Sequence, residues 1–284
     1  MSVFIGLTGW GDHDSLYHHQ TKIKDKLATY SAHFPIVEVD SSFYAVQSVQ
    51  NYEKWCNETP VNFKFIIKAH QSMTGHDRKK ITNVEAKKLF QSFLESIEPV
   101  RRHNKLLYIL FQFPPWFDVR DVHVKKLQKI KQLLPNLPIA IEFRHQSWFY
   151  PKNKQQTLAL LRACDWINTI CDEPQAGATS IPTVLEKTND SHAFIRMHGR
   201  NLHGWNRNGR GDEWRKVRFL YRYNQKELIE WCENIRYLQS KVNDVSIVFN
   251  NNSGGDAADN AKQLIDLLGV TYDNLNSKQL DLFE

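Results

Sequence analysis

The sequence predicts a (β/α)8 barrel of the TIM type, and three observations support this fold class. Eight short apolar runs cross the 284-residue chain, and amphipathic helical patterns fill most of the gaps between them. The runs are rich in Val, Ile and Phe, which is typical of buried parallel strands. An open doubly wound sheet is the alternative, but it usually carries a G-x-G-x-x-G turn after its first strand, and the segment GLTGWGDHD lacks that spacing. Eight repeats in a chain of this length favour a closed barrel.

The elements follow one another in a regular order along the chain. The predicted strands lie at 4–10, 36–43, 63–70, 106–113, 139–145, 166–173, 193–199 and 245–251. The predicted helices lie at 20–33, 47–57, 83–98, 121–134, 154–165, 225–241 and 256–268. Thr82 is a predicted N-cap with Glu85 in the first turn, and Pro135 ends the fourth helix.

Two connections interrupt this rhythm. The segment 173–191 has room for only a short helix, and 200–224 shows no clear apolar period. Connections of this length are unusual unless they are functional or disordered. No linker or composition change divides the chain, so we expect one domain over 1–284, with 269–284 as a C-terminal tail.

Composition bounds the class of protein. Lys and Arg total 37 against 31 for Asp and Glu, and the net charge of +6 helps an anionic ligand to approach without requiring nucleic acid. The four cysteines form no CxxC pair, which is typical of reduced, buried thiols. No apolar run is long enough to cross a membrane, and the first residues show no secretory signal. We therefore expect a cytoplasmic protein without membrane association, and a monomer is compatible with the sequence.

Strand alternation places polar side chains inside the barrel. In the run IAIEFRH, Glu142 and Arg144 share a face that cannot point at an apolar helix layer, so it must point into the barrel near its mouth. Similar polar residues close most of the other runs, at the end where barrel enzymes carry their sites. The predicted mouth contains Glu38, Asp40, Lys68, His70, Gln112, Glu142, Arg144, His145, Asp172, Arg196, His198, Asn250 and Asn251.

Three interpretations compete for this cluster. Internal ion pairs could hold the barrel layers in register, but they do not explain why the polarity sits at one end of nearly every strand. An anion site would use Lys68, Arg144, Arg196 and Arg200 as cationic groups. A site for a divalent metal would use Glu38, Asp40, Glu142, Asp172 and His198. The interleaved cations repel a metal, so the sequence favours the anion site, and no cofactor is firmly implied.

Aromatic residues and the long connection 200–224 offer further chemistry. Trp10, Phe43, Tyr44, Trp116, Trp148 and Trp205 follow strand ends, where they could stack on a ring or sugar or simply pack the loops. The connection interleaves arginines with Trp205 and Trp214, a pattern that also suits single-stranded nucleic acid. Gly204, Gly209 and Gly211 equally suit a lid.

These motifs resemble the YecE-like family, domain of unknown function 72. The resemblance runs through GLTGW (6–10), VEVDSSFY (37–44), FKFIIKAH (63–70), FQFPPWF (111–117), IEFRHQSW (141–148), CDEP (171–174), FIRMHGR (194–200) and FNNNSGGDAADNA (249–261). It implies a TIM-type barrel and no established activity. The motif residues coincide with the predicted mouth and add Tyr44, Trp148, Gly199 and Arg200.

The leading hypothesis is a barrel enzyme, of the hydrolase or isomerase class, that acts on a small anionic substrate with phosphorylated or sugar-like character. The predicted catalytic residues are Glu142, His198, His70 and Asp172. The predicted substrate-binding residues are Lys68, Arg144, Arg196, Arg200, Glu38, Tyr44, Gln112, His145, Asn250 and Asn251. A nucleic-acid binding protein that uses 200–224 and a non-catalytic metabolite-binding barrel are the alternatives.

Overall fold

The structure is a computed structural model that describes residues 1–18, 21–77, 81–177, 179–206 and 213–277. Eight parallel strands close into a barrel in the order β1 to β8, which confirms the predicted fold class. The strands are β1 (Ser2–Thr8), β2 (Ile36–Val39), β3 (Lys64–Lys68), β4 (Leu106–Gln112), β5 (Ile139–Glu142), β6 (Ile167–Asp172), β7 (His192–Met197) and β8 (Asp244–Phe249).

Helices cover the outside of the barrel. They are α1 (Lys26–Tyr30), α2 (Val49–Glu58), α3 (Gln71–Thr74), α4 (Asn83–Ser96), α5 (Glu98–Arg102), α6 (Asp121–Leu133), α7 (Pro151–Ala163), α8 (Leu202–Trp205), α9 (Glu213–Arg218), α10 (Gln225–Gln239) and α11 (Ala257–Leu268). The predicted cap of α4 is present as a full capping box, in which Thr82 and Glu85 exchange hydrogen bonds. The predicted first helix is shorter than expected: only Lys26–Tyr30 is α-helical, after a 3-10 turn at Ile23–Asp25.

The barrel has two apolar cores, one outside the strands and one inside them. The larger core lies between strands and helices, and a smaller cluster fills the barrel interior below the mouth. The interior cluster consists of Ile36, Ile66, Tyr108, Leu110, Ala140, Ile167, Phe194 and Val248. Because side chains alternate, this cluster places Glu38, Lys68, Gln112, Glu142 and Arg196 inside the barrel and above the apolar plug.

The connection 200–224 contains two short helices, α8 and α9, where the sequence showed no clear period. Gly209 and Gly211, which the lid hypothesis used, lie outside the described residues, as does part of the predicted tail. Among the described residues, no helix is both long enough and apolar enough to cross a membrane.

Candidate active site

The first feature of the mouth is a buried ion-pair network across the barrel. Arg196 on β7 donates from Nε and Nη2 to the two carboxylate oxygens of Glu38, at 2.9 and 2.7 Å. Its Nη1 donates to Oε2 of Glu142 at 2.6 Å. All three side chains are almost fully buried. Arg196, which was predicted to bind an anionic substrate, therefore already donates its hydrogen bonds to two carboxylates.

Glu142 is the hub of this network. Its Oε1 accepts from Gln112 at 2.7 Å and from Arg144 Nη1 at 3.2 Å. Burial alone would raise the pKa of Glu142, but Arg196, His198 and Arg144 together outweigh it, and the pKa lies well below the ordinary value. Glu142 is thus a fixed carboxylate, which suits it to orienting cations better than to exchanging protons.

His198 is held as a neutral imidazole. Its Nδ1 lies 3.0 Å from Asn250 Nδ2, and its Nε2 lies 3.3 Å from Glu142 Oε1. An amide N–H donating to Nδ1 leaves the proton on Nε2, which lies near the carboxylate but makes no hydrogen bond to any described residue. Burial lowers the pKa of His198 to about 3. The sequence predicted His198 and Glu142 as catalytic residues, but these environments fix both groups in one protonation state near neutral pH.

Lys68 forms a second pair on β3, the strand next to that of Glu38. Its Nζ donates to Asp40 Oδ1 at 2.6 Å and lies 4.8 Å from the centre of the Phe43 ring. Burial raises the pKa of Asp40, but the ammonium of Lys68 more than compensates, and the pKa is lowered overall. Tyr44 follows as an exposed ring at the rim, packed edge-on against Phe43.

The predicted position of Asp172 inside the barrel is wrong. Cys171 pairs in register with Arg196 on β7, so Cys171 shares the interior face and Asp172 points outward. Asp172 there accepts from Arg200 Nε at 3.0 Å on each oxygen. Arg200 also lies 3.3 Å from Glu230. Both residues therefore belong to an outer ion-pair cluster against α10, away from the mouth.

Three further predicted residues act in the surrounding loops. His70 and His145 each accept a backbone N–H through Nδ1, from Ser72 and Ser147 at 3.2 Å, and so cap the short helices that follow. Asn251 donates to Tyr221 O and to Asn260 Oδ1, both at 2.9 Å. These contacts give the side chains structural partners at or beside the mouth.

A cluster of Arg144, Trp205 and Arg218 lies beside the mouth. The site prediction named Arg144 as a substrate-binding residue but did not include Trp205 or Arg218. The guanidinium carbon of Arg218 lies 4.3 Å from the centre of the Trp205 ring, and that of Arg144 lies 4.8 Å from it. Buried N–H groups on all three have no acceptor among the described residues: Arg144 Nε and Nη2, Arg218 Nε and Trp205 Nε1. Unsatisfied buried donors are rare and costly.

Glu173 completes this group and was also missed. It follows β6 directly, and its Oε1 accepts the backbone N–H of Ile181 at 2.7 Å. Its Oε2 lies 3.6 Å from Arg144 Nη2 without a hydrogen bond. Burial raises its pKa to about 7, although Arg144 opposes the shift. The sequence signal for Glu173 was the CDEP motif at 171–174. Because Asp172 was assigned to the inner face of β6, the prediction chose Asp172 instead of Glu173.

Within the described part of the chain, one set of side chains has the spacing of a metal site. Ligand atoms of Glu142, Cys171 and His198 lie within 4.8 Å of one another. However, both oxygens of Glu142 already accept from guanidinium groups. Cations this close to the ligand atoms repel a divalent metal and compete for the same oxygens, so this set does not fit one.

Comparison with known proteins places the chain in a family. A family model described as "Protein of unknown function DUF72" matches residues 4–281. The UPF0759 protein YunF of Bacillus subtilis is 50% identical over 281 residues, covering 99% of this chain and 100% of that protein.

Solved structures agree. A DUF72 protein from Enterococcus faecalis has a TM-score of 0.90 at 35% identity, covering 98% of this chain and 100% of its own. One from Thermotoga maritima has a TM-score of 0.81 at 28% identity, covering 95% and 100%. A D-psicose 3-epimerase shares only the fold, with a TM-score of 0.53 at 12% identity over 94% of this chain and 100% of its own. With its closed eight-stranded barrel and a family match over nearly its whole length, this chain belongs to the DUF72 family.

Proposed function

We propose that this protein is a barrel enzyme that binds a small anionic substrate at the mouth and carries out hydrolysis or isomerisation on it. The observation that carries the proposal is the cluster of Arg144, Trp205 and Arg218, which we call the anion subsite. All three side chains have buried N–H groups without acceptors among the described residues, and both guanidinium carbons lie within 4.8 Å of the centre of the Trp205 ring. A phosphate or carboxylate supplies several acceptor oxygens at once, and guanidinium groups match their planar geometry.

The remaining charges favour this assignment of the subsite. Arg196 and Lys68 are paired with carboxylates at 2.6–2.9 Å, so they are not available to a ligand without breaking those pairs. Burial lowers the pKa of Arg218 to about 9, and the positive charge of Arg144 acts in the same direction. The two guanidinium groups therefore repel each other, and a bound anion would relieve that repulsion.

The described arginines of 200–224 favour a small ligand over nucleic acid. Arg218 stacks on Trp205 and Trp214, Arg200 is held by Asp172, and Arg222 lies 3.0 Å from Asp256. A nucleic-acid groove would instead present unpaired cations along the surface. The exposed rings of Tyr44 and Trp116 at the rim suit a sugar-like portion of the same small substrate.

Isothermal titration with sodium sulfate and inorganic phosphate tests the anion subsite. We expect wild-type protein to bind one anion, and Arg218→Met to lose about tenfold or more in affinity because a hydrogen bond to a charged group contributes about 1.5–3 kcal/mol. Arg222→Met is the matched control, since its guanidinium is paired at the exposed surface. Absent binding in wild type, or equal loss in both variants, contradicts the proposal.

Turnover is tested with a panel of sugar phosphates and hydroxy acids in D2O, followed by proton NMR. Isomerisation through proton abstraction exchanges a carbon-bound proton for deuterium, whereas hydrolysis releases a new product. Arg218→Met is expected to abolish either signal. Binding of panel members without any exchange or product would instead support the non-catalytic alternative.

A further inference from the structure

The carboxyl group of Glu173 faces the anion subsite with one oxygen held and the other without a partner. Oε1 is fixed by the backbone N–H of Ile181 at 2.7 Å, so the group cannot rotate freely. Oε2 is buried, lies 3.6 Å from Arg144 Nη2 and makes no hydrogen bond to any described residue. This oxygen is therefore positioned toward the same guanidinium that we assign to anion binding.

The charges that act on Glu173 come from several elements. Arg144 follows β5, Arg218 lies on α9, and both favour the ionised carboxylate. Glu142 on β5 has the same sign of charge and opposes ionisation, and the Cys171 thiol on β6 is kept neutral by burial. The ionised form of Glu173 is thus stabilised by two guanidinium groups, and a bound anion would interact with the same two groups.

We propose that Glu173 exchanges a proton with the substrate at the anion subsite: it takes up one proton from solvent as an anion binds to Arg144 and Arg218, and its Oε2–H then faces the bound anion. The inference rests on the proposed function. An anion neutralises the two guanidinium groups and adds a like charge beside the carboxylate, and both effects favour the protonated form.

The neighbouring candidates for this role are excluded by their environments. Glu142 accepts hydrogen bonds from Arg196, Arg144 and Gln112 and stays ionised. His198 is buried and neutral, and its Nε2 lies 3.3 Å from Glu142 Oε1. In a proton transfer, the O–H bond of Glu173 breaks, a new O–H bond forms on a substrate oxygen, and the carboxylate that remains is paired again with Arg144.

Proton uptake on sulfate binding tests the inference without knowledge of the natural substrate. Sulfate keeps its charge between about pH 6 and pH 9, so any proton taken up belongs to the protein. Titration calorimetry in buffers of different ionisation enthalpy measures this number. We expect most of one proton per sulfate near pH 8 and much less near pH 6, where Glu173 is already largely protonated.

Two variants separate Glu173 from other titrating groups. Glu173→Gln is expected to bind sulfate with no pH-dependent uptake, because the amide can donate a hydrogen bond but cannot ionise. Lys126→Met is the control, since burial lowers the pKa of Lys126 to about 8 and it also titrates in this range. We expect the control to keep the wild-type uptake.

The outcomes distinguish this inference from the proposed function. Sulfate binding without uptake in wild type, uptake that is constant from pH 6 to pH 9, or uptake that persists in Glu173→Gln would overturn the role of Glu173 and leave the anion subsite standing. Failure of wild type to bind sulfate contradicts the anion subsite itself, and the inference with it. If Glu173→Gln does not fold, the pH dependence of wild type and Lys126→Met decides.

Discussion

Replacing Arg196 by Met tests whether the buried network holds the barrel together. The substitution keeps an apolar chain of similar length but removes the guanidinium that joins Glu38 to Glu142. Both carboxylates are fully buried, so water cannot replace the lost partner without disturbing the barrel. Breaking a buried pair by removing one partner costs about 3–5 kcal/mol, because an uncompensated charge remains. We expect the free energy of unfolding to fall by that amount.

Urea unfolding followed by tryptophan fluorescence and circular dichroism measures the change. Arg222→Met is the matched control, because Arg222 is 57% exposed and its pair with Asp256 lies at the surface. An exposed pair contributes about 0–1 kcal/mol, so the control should unfold close to wild type. A cost for Arg196→Met no larger than that of the control would refute the reasoning.

The pH dependence of Arg196→Met gives a second check on the same network. Burial raises the pKa of Glu38 even with Arg196 beside it, so removing Arg196 raises this pKa further. A group whose pKa is raised in the folded state stabilises the protein at low pH and loses that contribution as the pH rises. The cost of Arg196→Met relative to wild type should therefore shrink from about pH 8 to pH 5. A cost that grows on acidification would contradict this.

Three further predictions concern single residues. Glu173 has a folded pKa of about 7, so its contribution to the free energy of unfolding is fully present below the ordinary carboxyl pKa and is lost as the pH rises through about 7. Glu173→Gln should remove this part of the pH dependence of the urea midpoint between pH 5 and pH 8. An unchanged slope would count against the assignment. Gly199→Ala should lower the melting temperature clearly, because φ is +84° and a Cβ would lie 2.6 Å from Tyr221 Cβ. Gly269→Ala is the control and should lower the melting temperature less, because a Cβ at φ +64° there meets no neighbour within 4 Å. Thr82→Ala should cost about 1 kcal/mol in urea unfolding by losing the capping box of α4, and a cost near zero would show that this helix end is held otherwise.

Local sequence patterns predicted the position of a residue correctly where one face of its helix or strand differs chemically from the other. The capping residues of α4 and the polar face of β5 are of this kind, and the structure has Thr82 capping and Glu142 inside the barrel. The sixth strand is different, because INTICD carries polar residues on both faces: Asn168 and Asp172 on one, and Thr169 on the other. Alternation then does not identify the inner face, and only pairing with β7 shows that Cys171 faces inward and Asp172 outward.

The sequence by itself determined the barrel, its order of elements and the end of the strands where polar groups gather, since alternation, capping and apolar runs act between near neighbours. Only the tertiary structure decided which of those groups pair. Arg196 and Glu38 are 158 residues apart and meet because the barrel closes, which leaves Arg144 and Arg218 with N–H groups that no described residue accepts. Hydrogen bonding depends on distances of a few tenths of an ångström, and closure sets those distances.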